Sequence, residues 1–338
     1  MKCNKLYFDA YQGKEVHRYI ITTNDLVFEF LDFGARIHKI YQKLSPQSNI
    51  VLSFNSIQSY LESATYAGAT TGRVAGRIKN GTFNLNDKQY HLDINNPPHH
   101  LHGGEKGMDK MIYKTDIINN ENSVALNFTA TLYEEDDYYP GNIDVTIRHT
   151  VDINNTWTIE YFAKSSEDTI FNPTNHVYFN LNQNFEQKIY NHELKISGSK
   201  YCEIDSNGLP TGNILKKETF NFNKKKDLIK GFMCEGNGSK IVGGYDHPFL
   251  LDGGKKLELS VPSQNLAIEA DTDRDCVIIY TANGLDYQTE SFHYQPHCAV
   301  AIEFQQIPDA INNQLSNIVL KKDEPFYSKS RYTIKRRE

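Results

Sequence analysis

No two cysteines in this sequence are spaced as a metal clip or a redox pair: the five, at positions 3, 202, 234, 276 and 298, form no CxxC and are odd in number. That argues against a disulfide framework or a zinc cage, and they read as reduced thiols. Basic charge is scarce too. With 36 Lys and Arg against 42 Asp and Glu the formal net charge is −6, and the cations are scattered apart from the terminal "KRRE". Such a chain has no field with which to hold nucleic acid. No apolar run approaches the roughly 18 residues of a membrane-spanning helix, and "MKCNKLYFDAYQGKEV" lacks the apolar stretch of a secretory signal. The expected location is the cytoplasm, with neither membrane nor nucleic acid as partner. A Pro/Ser-rich linker, a shift in composition and an internal repeat are also missing, so residues 1–338 are read as a single domain.

What fills the chain is strand after strand. "LVFEFLDFGARIHKIYQ" alternates on either side of Gly34, and "TFNLNDKQYHLDIN" reads as a hairpin turning at Asn86 and Asp87. The stretch from Ser123 to Lys164 gives three strands broken at Pro140-Gly141 and at Asn154-Asn155. "KLELSVP", "CVIIYTANG", "AVAIEFQ" and "RYTIKR" continue the pattern, and 21 Tyr with 18 Phe supply the bulky residues that sheets pack with. One short helix is expected near "NSIQSYLESA". Strands do not alternate with long amphipathic helices, which argues against a parallel α/β fold and for an all-β protein, a large antiparallel β-sandwich with few short helices.

Titratable residues gather in five stretches: "GRVAGRI" at 72–78, "PPHHLHGGEKGMDK" at 97–110, "FNPTNHVYFNL" at 171–181, "GGYDHPFLL" at 243–251 and "AIEFQQIPDAINN" at 301–313. The histidine run admits a metal site or a polar loop. His100 and His102 would share a face of an extended strand, but the run alone cannot complete a zinc ligand set. Gly103 and Gly104 tilt it toward a site, since glycines let backbone come close to a ligand. His176, in a stretch that alternates like a half-buried strand, is read either as a core histidine bonded to a backbone carbonyl or as a working group. Glu303 follows "AVAI" on an apolar strand, where an ionised carboxylate without partners is costly. It is either paired with a basic group or a general base with a perturbed pKa. Asp246 and Arg77, taken alone, suit a turn or an ion pair.

Taken together and in this order along the chain, these stretches resemble the aldose 1-epimerase (galactose mutarotase) family. The resemblance implies a galactose mutarotase-like supersandwich that interconverts the α and β anomers of hexoses such as galactose and glucose. It implies His176, of "NHxYFNL", as general acid, and Glu303, of "E-x-Q-x-x-P-D-A", as general base. It also implies that Arg77, His102, Tyr178 and Asp246 hold the sugar hydroxyls.

The chemistry asks for such a pair. Mutarotation removes the proton of the anomeric hydroxyl while protonating the ring oxygen, and positioned proton transfer contributes roughly a hundredfold to ten-thousandfold per group. No metal, redox cofactor or nucleophile is required, so none is expected; the one partner is a small sugar. Asn175 and Tyr178 are expected to orient His176 and the sugar. Three residues depart from the family pattern: Gly76 stands where many relatives have asparagine, Tyr113 where a tryptophan is usual, and Arg274 is aligned with a sugar-contacting glutamine. An arginine there would read an anionic substituent. The alternatives are therefore an epimerase of a phosphorylated or acidic hexose and a non-catalytic sugar-binding module. A glycoside hydrolase would need two flanking carboxylates.

Overall fold

The computed structural model describes residues 1–229, 242–290 and 292–336; Cys234 and the last two residues of "KRRE" lie outside them. Three antiparallel sheets carry the fold. The first 42 residues form a four-stranded meander, Cys3–Tyr11, Lys14–Thr22, Leu26–Leu31 and Arg36–Gln42. A nine-stranded sheet runs in the order Lys114–Asn119, Ser123–Leu132, Ile143–Asp152, Thr156–Ser165, Pro325–Arg336, Leu266–Thr272, Lys256–Val261, Glu193–Ile196 and Lys226–Asp227. A six-stranded sheet follows the order Tyr178–Phe179, Val300–Gln305, Cys276–Tyr280, Asp246–Leu250, Lys200–Ile204 and Pro210–Leu215.

The sequence signals act locally as expected. Asn86 and Asp87 both adopt positive φ between Leu85 and Lys88, the paired ends of the hairpin, as a two-residue hairpin turn of type I′ requires. The expected helix forms at Ile57–Glu62, where the Ser56 hydroxyl accepts from the Ser59 N–H at 3.2 Å as an N-cap. Further short helical turns occur at Glu134–Asp137 and Ala310–Asn313.

All three sheets contribute to one apolar core. It joins Phe28 and Ile37 of the meander, Ile147, Trp157 and Tyr332 of the large sheet, and Val277, Ile279, Ile302 and Phe304 of the six-stranded sheet. Trp157 stacks on Tyr332 with ring centroids 4.7 Å apart. Because side chains alternate across a strand, sending Ile302 and Phe304 into this core turns Ala301, Glu303 and Gln305 to the opposite face. On the neighbouring strand Val277 and Ile279 point inward while Ile278 and Tyr280 share the face of Glu303.

In "GRVAGRI", Val74 forms an isolated bridge with Asn172, and Arg77–Ile78 pairs with Leu101 and His100. One expectation needs correction. Residues 171–181 are not a half-buried strand but are buried throughout, and form two short pairings, Thr174–Asn175 with Thr71–Thr70 and Tyr178–Phe179 with Ala301–Val300. The apolar–polar alternation misleads because most of the polar side chains here bond to protein rather than water. Thr174 Oγ1 donates to the Phe304 carbonyl at 2.9 Å, and Asn180 Nδ2 donates to the Gln187 and Cys298 carbonyls at 2.7 and 2.8 Å.

Candidate active site

His176 is held by its backbone. Its N–H donates to the Ala69 carbonyl at 2.8 Å and its own carbonyl accepts from Gly68 N–H at 2.9 Å, so the segments 68–71 and 174–176 are laced together. The ring is then presented to Glu303, with Nε2 at 3.3 Å from Oε1. His176 Nδ1 meets no hydrogen-bond partner, so this is not a core histidine anchored to a carbonyl. Glu303 is 3% exposed, and among the described residues its one ion-pair contact is this imidazole rather than an arginine or lysine. Asn175 does not orient the ring, because its Nδ2 donates to the Gly68 carbonyl at 2.8 Å. The Tyr178 ring does flank it, at 4.9 Å between centroids.

Burial acts on the pair from both sides. Desolvation pushes the Glu303 carboxyl well above the usual carboxylate range, with Asp246 adding to the effect and Arg77 opposing it. The same desolvation lowers His176 to about 3. An isolated imidazole is about two pH units more basic than a carboxylate. Burial works against that difference: it favours the neutral form of each group and so opposes holding the pair as imidazolium and carboxylate.

The histidine run splits apart. His99 Nδ1 accepts from the Asn80 N–H at 3.1 Å, while His100 Nδ1 bonds the Asp93 carbonyl at 2.8 Å and its Nε2 meets the Tyr139 hydroxyl at 2.8 Å. His100 and His102 do not share a strand face, because the strand ends at Leu101 and His102 has a φ of 53°. Only His102 reaches the cleft, its ring 5.1 Å from that of His176 in a T-shaped arrangement. The close approach that the double glycine permits is to protein, since a Cβ on Gly103 would lie 1.6 Å from the Gly72 carbonyl oxygen.

His102, His176 and Glu303 bring potential ligand atoms within 4.8 Å of one another. The set fits a metal poorly. His102 Nδ1 accepts the Gly76 N–H at 3.2 Å, so in the neutral ring the proton sits on Nε2, which is then a donor and not a lone pair. Desolvation, then the neighbouring His176 and Arg77, lower the His102 pKa well below its ordinary value and keep that ring neutral.

Arg77 extends along the cleft. Its Nε donates to Asn96 Oδ1 at 3.1 Å, and Nη1 lies 3.9 Å from Asp246 Oδ2. The other arginine of the motif does something different. Arg73 is buried, with Nε donating to Asp137 Oδ2 at 2.6 Å and its remaining nitrogens to the carbonyls of Leu132, Pro140 and Gly141.

All six residues named from the sequence, Arg77, His102, His176, Tyr178, Asp246 and Glu303, line one cleft of about 310 Å³. Arg274 does not. It is 5% exposed, its guanidinium donates to the Pro173 carbonyl at 3.2 Å and lies 5.1 Å from the Phe326 ring centroid, and the cleft-facing positions on the strand that follows are Ile278 and Tyr280. Tyr113 is also remote, buried with its hydroxyl donating to the Met108 carbonyl at 3.1 Å. Of the three departures only Gly76 touches the cleft. Sequence reasoning missed Tyr66, whose ring lies 4.7 Å from His102 and 6.0 Å from His176, and Asn96, which holds Arg77. Nothing local marks either one. Gln305 was also passed over, although its place two residues after Glu303 put it on the same strand face.

Fold and cleft together define a β-sandwich protein with a buried imidazole–carboxylate pair among hydrogen-bonding groups suited to a polyhydroxylated ligand. The chain belongs to the aldose 1-epimerase family, whose profile matches residues 17–333. It is 31% identical to the galactose mutarotase of Rattus norvegicus over 93% of this chain and 92% of that one. It is also 31% identical to the aldose 1-epimerase of Streptococcus thermophilus, covering 88% of each. Among solved structures, galactose 1-epimerase from Lactobacillus acidophilus superposes with a TM-score of 0.89 at 25% identity, covering 100% of this chain and 99% of that one. The GalM/aldose epimerase homologue from C. elegans gives 0.85 at 26% identity, covering 94% and 98%.

Proposed function

We propose that this protein is an aldose 1-epimerase that interconverts the α and β anomers of neutral aldohexoses such as galactose and glucose, with Glu303 and His176 as base and acid. The carrying observation is the 3.3 Å between Glu303 Oε1 and His176 Nε2. The anomeric hydroxyl oxygen and the ring oxygen are bonded to the same carbon, so the groups that serve them must lie this close. Glu303 carboxylate takes the proton of the anomeric hydroxyl, C1=O forms as the bond from C1 to the ring oxygen breaks, and the His176 imidazolium protonates that oxygen. Rotation about C1–C2 exposes the other face, and closure returns both protons. Ring opening leaves both groups neutral, the state that burial favours, and closure on either face reverses the two transfers.

His102 Nε2–H and Arg77 supply donors and Asp246 an acceptor for the remaining hydroxyls, with the Tyr178 ring flanking His176. Arg77 is the one Lys or Arg lining the cleft among the described residues, and it faces Asp246 and Asn96. That favours an uncharged sugar over a phosphorylated or acidic one. No helix among the described residues is long and apolar enough to cross a membrane, and a cytoplasmic location with chain 1–338 as one domain is part of this reading. Polarimetry of freshly dissolved α-galactose, α-glucose and glucose 6-phosphate tests it: accelerated mutarotation of the first two is expected. A preference for the phosphorylated sugar, or no acceleration of any, would overturn it.

A further inference from the structure

Gln305 is 0% exposed and faces the cleft, yet neither its Oε1 nor its Nε2 has a hydrogen-bond partner. Among the described residues that line the cleft it is the one side chain with every polar atom buried and unmatched. Its surroundings explain why. Opposite Gln305 across the ladder is Cys276, and nearby cleft positions hold Ile278 and Pro308, none of which offers a strong bonding group. Gly76 adds none either: it has a φ of +76°, and a Cβ there would come 2.9 Å from the Pro308 Cβ, so Pro308 already occupies the place a side chain would take. Burying a primary amide without partners lowers stability, and proteins rarely keep such a group unless something binds it.

We infer that the Gln305 amide is a sugar-recognition group, accepting from one hydroxyl and donating to the same or an adjacent one. The inference rests on the epimerase reading of the cleft. Gln305 lies two residues beyond Glu303 on the same strand face, a separation of about 7 Å along the strand. It therefore addresses a hydroxyl remote from the anomeric carbon and touches neither atom that exchanges a proton. An uncharged donor–acceptor pair among apolar neighbours suits an unmodified hydroxyl and gives no support to a phosphate or carboxylate at that carbon. Contacts of this type hold ground state and transition state alike, so their loss appears in KM and not in kcat. They also reject an analogue that lacks the hydroxyl, because the amide is then left unmatched in the complex.

The test uses Gln305→Met and Gln305→Leu, which keep the approximate volume and remove the bonding atoms. Expected are a rise of about tenfold or more in KM for galactose or glucose with kcat within about threefold, and a melting temperature unchanged or raised because an unmatched amide has gone. A purely structural amide would do the reverse. Unchanged KM, or a melting temperature that falls in both variants, or failure of both to fold, overturns the assignment. Hexoses deoxygenated singly at C3, C4 or C6 add a second readout: at one position the unsubstituted protein discriminates against the deoxy sugar while Gln305→Met does not. Additive losses at all three positions also overturn it. No mutarotation by the unsubstituted protein would sink the epimerase reading and this one with it, whereas normal turnover with an unaltered Gln305→Met sinks this one alone.

Discussion

Gly76 and His102 hold each other twice: the Gly76 N–H donates to His102 Nδ1 at 3.2 Å, and the His102 N–H donates to the Gly76 carbonyl at 3.0 Å. The first bond fixes the tautomer, so the ring offers the cleft an N–H. The second sets the backbone at the residue before Arg77, so the two sugar-facing donors are placed by one local contact.

Activity should therefore survive exhaustive dialysis against a strong chelator. The residues nearest to a metal-binding set include a histidine whose free nitrogen is protonated, and the proton transfers of ring opening are assigned to His176 and Glu303. The polarimetric rate before and after dialysis decides this. Loss of rate with recovery on adding zinc or manganese would refute the metal-free scheme.

The pair itself is tested by Glu303→Gln and His176→Asn. Glu303→Gln removes the base at nearly constant shape, and kcat should fall by at least about a hundredfold. The fold should be no less stable, because a buried carboxyl is replaced by a neutral amide. His176→Asn keeps a hydrogen-bonding side chain without a proton to give, so turnover should drop while galactose still protects the protein against thermal unfolding. Full turnover in either variant would remove that residue from the mechanism.

Acid should destabilise the fold through its histidines. Burial lowers His149, His192 and His247, none of them in the cleft, each to about 3. Their folded pKa lies below the unfolded value near 6.5. Between those limits the unfolded chain binds protons that the folded chain does not, so stability rises with pH and is lost as pH falls below about 6.5. Each group contributes up to about 1.4 kcal/mol per pH unit across that window. Burial raises Asp109 and Asp137 to about 6, which acts with the opposite sign, so the histidine part is read from melting temperatures between pH 7 and pH 4 for the unsubstituted protein and for His149→Gln; the same pH slope in both would contradict it.

The two arginines of "GRVAGRI" should separate stability from binding. Arg73→Leu leaves Asp137 and the carbonyls of Leu132, Pro140 and Gly141 without their donor, and a loss of about 3–5 kcal/mol is expected from breaking a buried pair. Arg77→Leu should cost far less stability and raise KM instead, since Arg77 is partly exposed in the cleft. Denaturant melts alongside polarimetric KM values distinguish them; equal effects on both readouts would show the division to be wrong.

Alternation of apolar and polar residues was enough to mark the strands, the hairpin at Asn86-Asp87 and the helix capped by Ser56, because each depends on residues within a few positions of one another. Ordered motifs named the six cleft residues through a family resemblance. Partners distant in the chain were not legible. That Glu303 faces His176 and not a cation, that His100 turns to Tyr139 while His102 turns to the cleft, and that Arg274 packs over Phe326 away from the sugar all depend on strand order and register. The same limit explains residues 171–181, where polar side chains such as Thr174 and Asn180 look solvent-facing in sequence and are bonded to distant carbonyls in the fold. Local pattern states which face a side chain takes; only the assembled sheets decide what stands opposite it, and with that the pKa of each group and the chemistry open to it.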